Sequence, residues 1–236
     1  MRCLVTLLLL ASCGDVPEDY PVGPGGYGPG GNNRRDAGSD DSGDGGAMLA
    51  GRVCVVGDLR DLATCADTDA GGLTVSLGSR TAVTADDGRF TIAAPAGSGL
   101  VWRVIDPRVI TSVMPFAAST TIPAVSVATF AAVTSGSGVL LSAGQGSIIA
   151  RVVQGGHPLV GATAAITPEA VYDPYYDGND PLAWDQDSTG PAGLVWLTGV
   201  PVGTPLVQIL RAGGDAVTES QLVEDQAITF ATIEIP

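Results

Sequence analysis

From about residue 48 onward the chain alternates apolar and polar residues in short runs, each soon stopped by glycine or proline. A period of two places successive side chains on opposite faces of an extended strand, so such runs build half-buried strands rather than helices. Gly51–Val56, Leu73–Leu77, Thr81–Thr84, Arg89–Ile92 and Leu100–Val104 read this way, with breaks at Asp86-Asp87-Gly88 and Pro95-Ala96-Gly97. Strands that recur roughly every 8–12 residues between turn residues predict two sheets packed face to face. The 33 glycines and 16 prolines are the material of those turns.

The same order returns about 100 residues later. Ile148–Val153 is a strand, Pro158-Leu159-Val160-Gly161 a turn, and Ala162–Ile166 a strand. Ala192–Leu197 then takes the place of Asp87–Ile92, Val200-Pro201-Val202-Gly203 answers Ala94-Pro95-Ala96-Gly97, and Pro205–Ile209 answers the strand holding Trp102. A polar and aromatic insertion at 167–189 has no counterpart in the first copy. Between the copies, Ala124–Leu141 is predicted to hold a short helix, with Val125, Ala128, Ala132 and Val133 on one face, Phe130 near it and Gly136 at its end. The expected fold is all-β: two Greek-key β-sandwich domains, at 48–123 and 146–236, joined by a connector at 124–145 with a short helix.

The order of strand, G-x-x-V-x-L, strand, T-x-D-G-x-F, P-x-G and strand resembles the carboxypeptidase regulatory-like domain. The residues that carry it are Gly72–Leu77, Thr84–Phe90 and Pro95–Gly97, then Gly161–Ile166, Gly193–Val195 and Val200–Gly203. That resemblance implies a sandwich of seven or eight strands, of the transthyretin-like and starch-binding-like kind. It implies no peptidase activity, since a zinc peptidase needs several His and Glu ligands and the chain has one histidine.

The amino terminus is a different kind of segment. Met1-Arg2, an apolar run over Leu4–Ala11 and small residues before Cys13 follow the grammar of a signal peptide over 1–12. The apolar run is far shorter than the roughly 20 residues of a membrane-spanning helix. Leu10-Ala11-Ser12-Cys13 resembles the lipobox of bacterial lipoproteins, which implies cleavage before Cys13 and diacylglycerol and acyl chains, such as palmitate, on that residue. The expected location is the cell envelope, at the outer membrane, periplasmic or surface-exposed. Residues 13–47, rich in Gly, Pro, Asp and Ser, cannot bury enough apolar surface to order themselves and read as a disordered linker. As a coil of about 34 residues it would reach roughly 30–35 Å.

Charge narrows the partners. All 11 basic residues are arginine, against 25 acids, for a net charge of −14. A nucleic-acid partner is therefore not expected, because phosphate would be repelled. The acid concentrates late: residues 124–236 hold eleven acidic side chains and two arginines. Cys3 leaves with the leader and Cys13 is taken by lipid, so Cys54 and Cys65 are expected to pair in the oxidising compartment. The bridge would be worth roughly 2–3 kcal/mol.

Few residues suggest chemistry. His157 lies in Gly155-Gly156-His157-Pro158, a turn with no nucleophile motif beside it, and no nucleotide-binding or hydrolase signature is present. The expectation is a protein that is not an enzyme. Asp86-Asp87-Gly88 reads as a hairpin turn rather than a cation loop. The segment 171–187 holds the remaining candidates. Tyr172, Tyr175, Tyr176 and Trp184 could form a stacking surface for sugar or peptide. Asp173, Asp177, Asn179, Asp180, Asp185 and Asp187 supply oxygen ligands of the kind Ca²⁺ takes, though not at EF-hand spacing. The alternative is a solvated acidic loop whose rings cover the sandwich edge; no other cofactor is implied. The functional expectation is a non-catalytic envelope lipoprotein whose β-sandwich modules serve adhesion, assembly or structural contact with an envelope protein or glycan. A carbohydrate-binding module using the insertion is the alternative.

Overall fold

Each alternating run becomes a strand in the computed structural model, which describes residues 47–236 apart from 67, 118–119, 179–182, 212 and 215. Cys13, the signal peptide at 1–12 and the linker as far as residue 46 lie outside the described residues.

The first half contains β1 (Met48–Val56), β2 (Thr74–Leu77), β3 (Arg80–Val83), β4 (Arg89–Ala93), β5 (Val101–Ile105), β6 (Ser112–Pro115) and β7 (Thr120–Val125). One layer has the order β4-β1-β7, with β1 antiparallel to β4 and parallel to β7. The other runs β3-β2-β5-β6, antiparallel throughout. Alternation drives the layers together: in β4, Phe90 and Ile92 are buried while Arg89 and Thr91 are exposed. Val53, Val75, Phe90, Trp102 and Ile122 meet in the core, with Trp102 edge-on to Phe90 at 5.4 Å.

Asp86-Asp87-Gly88 does turn the chain, but not as a hairpin. It carries the chain from β3 in one layer to β4 in the other. Gly88 has φ +79° and its Cα faces the carbonyl of Val53, so a side chain there would meet both strain and a backbone oxygen.

The connector helix α1 spans Val127–Gly136, capped by the Ser126 hydroxyl, which accepts from the Thr129 N–H at 3.0 Å. Its buried residues are Phe130 and Val133, whereas Ala128 and Ala132 face out. Val133 keeps its expected place; Val125 is the last residue of β7 rather than part of the helix, so the buried stripe centres on Phe130 and Val133 and leaves the two alanines outside.

The second half contains β8 (Gln145–Gln154), β9 (His157–Pro158), β10 (Thr163–Thr167), β11 (Tyr175–Tyr176), β12 (Leu194–Pro201), β13 (Leu206–Leu210), β14 (Ala216–Ser220) and β15 (Ile228–Ile235). It repeats the plan of the first. β12-β8-β15 matches β4-β1-β7, again with the central strand antiparallel to one neighbour and parallel to the other. β10-β13-β14 matches β2-β5-β6. The turn glycines agree: Gly97 and Gly203 have φ +136° and +138°.

One detail is duplicated atom for atom. The Thr84 hydroxyl accepts from Leu73 N–H at 2.8 Å and donates to the Ala70 carbonyl at 2.5 Å. The Thr189 hydroxyl accepts from Ala162 N–H at 2.9 Å and donates to the Leu159 carbonyl at 2.6 Å. Four residues on, Gly88 and Gly193 each give their carbonyl to the matching strand, to Val53 N–H at 2.8 Å and Val152 N–H at 2.7 Å. Thr-x-x-x-Gly is thus a latch closing each sandwich end.

The halves share a sheet. β15 pairs in parallel with β6 through Ile228–Ser112 and Thr229–Val113, giving a nine-stranded sheet among the described residues. A third core lies between the halves. Cys54 and Val56 of β1, Phe130 and Val133 of α1, Ile149 of β8, Trp196 of β12 and Phe230 of β15 meet there.

Candidate functional site

The insertion of the second half folds into that third core. β11 is only two residues long and pairs with β12 through Tyr175–Trp196 and Tyr176–Val195. Strand alternation therefore sends the two tyrosines to opposite sides. Tyr176 enters the core of the second sandwich, and Tyr175 packs in the core between the halves, with its ring 5.2 Å from that of Trp196. Trp184, only 7% exposed, stacks obliquely on Trp196 at 5.6 Å, and Phe130 approaches the same indole edge-on at 6.3 Å.

The phenols are occupied as well. Tyr172 Oη accepts from Leu140 N–H at 2.9 Å and donates to the Leu140 carbonyl at 3.1 Å. Tyr175 Oη donates to the Ser137 carbonyl at 3.2 Å, and Tyr176 Oη accepts from Ala164 N–H at 2.8 Å. Burial pushes both the Tyr175 and the Tyr176 phenol above their ordinary 10.0. Tyr172, Tyr175, Tyr176 and Trp184 are thus divided between two cores and turned inward. They share no outward face.

The acidic residues divide too. Asp177 is 1% exposed, and its carboxylate accepts three backbone N–H groups: Gly190 at 2.9 Å, Leu194 at 2.8 Å and Ala192 at 2.8 Å. It fastens the insertion to the start of β12, and Gly190 must be glycine because a Cβ there would strike the Asp177 carbonyl. Asp173, Asp185 and Asp187 are exposed, while Asn179 and Asp180 lie outside the described residues. Among the described residues no three His, Cys, Asp or Glu side chains gather where a metal could be held.

The first half holds the insertion from the other side. Cys54 and Cys65 are bonded to each other, closing a loop that carries Arg60. The Arg60 guanidinium pairs with Asp58 at 2.7 Å and donates to the Gly178 carbonyl of the insertion at 3.2 Å. Hydrogen bonds from Arg60 hold the Asp58 carboxyl below its ordinary 3.8, against the opposing pull of burial. A second tie joins Arg103 of β5 to Glu224, just ahead of β15, at 2.6 Å. His157 sits exposed where β8 and β9 form a hairpin, after Gly155 and Gly156, both at positive φ.

Alongside these contacts a cleft of about 630 Å³ opens between the halves, walled by Met114, Phe116, Arg151, Gln221 and Phe230 among others. Sequence reasoning did not single out this cleft, Arg151 or Thr189. The shared Thr-x-x-x-Gly spacing at 84–88 and 189–193 was the available signal for the latch. Nothing local marks the cleft, since it needs Met114 and Phe230, which lie more than 100 positions apart, to come together.

No protein-family model matches the chain, and no curated protein matches it. Among solved structures, the Bacillus anthracis TIE protein is similar over 80% of this chain and 33% of its own, at 10% identity and a TM-score of 0.26. The γ-CGTase of the alkalophilic Bacillus clarkii is similar over 69% of this chain and 23% of its own, at 15% identity and a TM-score of 0.19. The chain thus spans about a third of the first protein's length and less than a quarter of the second's.

Proposed function

We propose that the chain is a non-catalytic, lipid-anchored protein of the cell envelope that presents two joined β-sandwich halves as one stiff contact scaffold for adhesion or assembly. The observation that carries this reading is the core between the halves. The insertion's aromatic rings are engaged in packing Trp196, Phe130 and the disulfide loop together, which favours a load-holding joint over a stacking surface for sugar. A likeness to the carboxypeptidase regulatory-like domain is supported by Gly72–Leu77, Thr84–Phe90 and Pro95–Gly97, and by Gly161–Ile166, Gly193–Val195 and Val200–Gly203. The anchor is supported by Leu10-Ala11-Ser12-Cys13.

The test follows lipid and contact separately. Cells producing the chain are fed alkyne-tagged palmitate, and label is read on the wild type and on Cys13→Ser. Label on the wild type alone is expected; label that survives Cys13→Ser, or none at all, overturns the anchor. A glycan column that retains the wild type but releases folded Trp184→Ala would replace the scaffold reading with sugar binding.

A further inference from the structure

The shared sheet is incomplete at its middle. β15 pairs with β8 along all eight residues from Ile228 to Ile235, yet with β6 at only the first two. In a parallel ladder the N–H and C=O of one residue point to the same side, and the side alternates along the strand. The Ile228 N–H goes to the Thr111 carbonyl on the β6 side at 2.8 Å. The backbone groups of Thr232 and Glu234 therefore address that side too, where among the described residues β6 has already ended at Pro115.

The cleft opens at this notch. Phe230 and Thr232 line it from β15, Met114 from β6, and Phe116 from just beyond the end of β6. Arg151 lines it from β8, directly opposite Thr232 in register, exposed and with no ionic or hydrogen-bonding partner among the described residues. Gln221, 4% exposed, also lines the cleft, with its Oε1 unpartnered. A strand edge offers a row of donors and acceptors that another extended backbone satisfies. Recessed here, the edge is shielded from sheet-to-sheet association but open to a single segment.

We propose that this notch binds an extended peptide segment of a partner protein. The segment adds as a strand to β15 in the lane that β6 vacates. Alternate apolar side chains lie on Phe230, Met114 and Phe116, and a carboxylate lies against Arg151. The proposal names the contact made by the scaffold reading, but it stands without the lipid anchor. Loss of palmitate label leaves it intact, and failure here leaves the anchor intact.

The experiment uses the full-length chain in detergent micelles and a displayed library of random ten-residue peptides. Selected peptides are resynthesised with N-methyl groups on one or the other alternate set of amides. One set is expected to abolish binding and the other to be tolerated, because only one set faces β15. Thr232→Pro, which removes an N–H on the open side, should weaken binding at least tenfold, while Thr232→Val should not. Arg151→Glu should weaken carboxylate-bearing peptides by a similar factor. The proposal is overturned if no peptide is selected, if both methylated sets bind alike, or if Thr232→Pro, folded by its melting profile, binds as the wild type. A dimer detected by light scattering that selected peptides do not dissociate would also overturn it.

Discussion

Replacing Asp177 probes whether the insertion is held by its buried carboxylate. Two of the three N–H groups it accepts, those of Gly190 and Leu194, are buried, and the Ala192 N–H is partly open. A buried donor left without a partner costs about 1–3 kcal/mol. Asp177→Ala strands two of them, so the expected loss is about 4 kcal/mol. Asp177→Asn behaves differently. Its one carbonyl oxygen takes the place of Oδ1, which serves both Gly190 and Leu194, while the new NH₂ faces the partly buried Ala192 N–H, donor against donor. Its loss should be about 2 kcal/mol, from the weaker, uncharged acceptor and that one mismatched contact. Urea unfolding read by tryptophan fluorescence measures both. At about 2–4 °C per kcal/mol for a chain this size, the alanine variant should melt roughly 8–16 °C lower. The reasoning fails if alanine costs under 1 kcal/mol, or if asparagine costs as much as alanine.

Trp196→Ala should cost about 3–5 kcal/mol by emptying the core between the halves, and calorimetry should show the melting temperature falling accordingly. Trp184→Ala should fall in the same range; a loss below 1 kcal/mol would mean that its ring is dispensable to the joint. Reducing Cys54–Cys65, which are 11 positions apart, should lower stability by about 3 kcal/mol, read as the shift in urea midpoint with and without reductant. Asp58, with its pKa lowered by Arg60, stabilises the fold above its ordinary pKa and loses that contribution as pH falls through the folded-state value. The stability gap between wild type and Asp58→Asn should therefore be widest near neutrality and close in acid; a gap independent of pH would refute the linkage.

Legibility in the sequence followed how local each determinant is. The strands around Val75, Phe90, Trp102 and Ile209 are readable because period-two alternation reports burial without reference to any partner, whereas the uniformly apolar run around Val195 is readable only through its place in the repeat. β15 carries the same signal in I-T-F-A-T-I-E-I, but the correspondence between the two copies stops at Pro205–Ile209 and does not extend to β14 or β15. β6 has four residues and its partner β15 lies more than 100 positions away, so no local pattern announces their pairing. The rings of 171–187 were visible as a cluster, but the direction in which they point depends on the pairing of β11 with β12. Spacing alone does not distinguish a surface from a plug. Asp177 shows the same limit: as a residue type it suggests a cation ligand, whereas its surroundings supply amide hydrogens.

The threonine latch has a consequence for how such a fold can change. In the first half it bridges 11 residues, from Leu73 to Thr84; in the second it bridges 27, from Ala162 to Thr189. Closing a longer loop costs only about 0.6 kcal/mol per doubling, so two hydrogen bonds and a glycine suffice to hold either length. The sandwich end is therefore a port at which sequence can be added without disturbing the strands behind it. In the second half the added segment became the mortar between two copies of one domain.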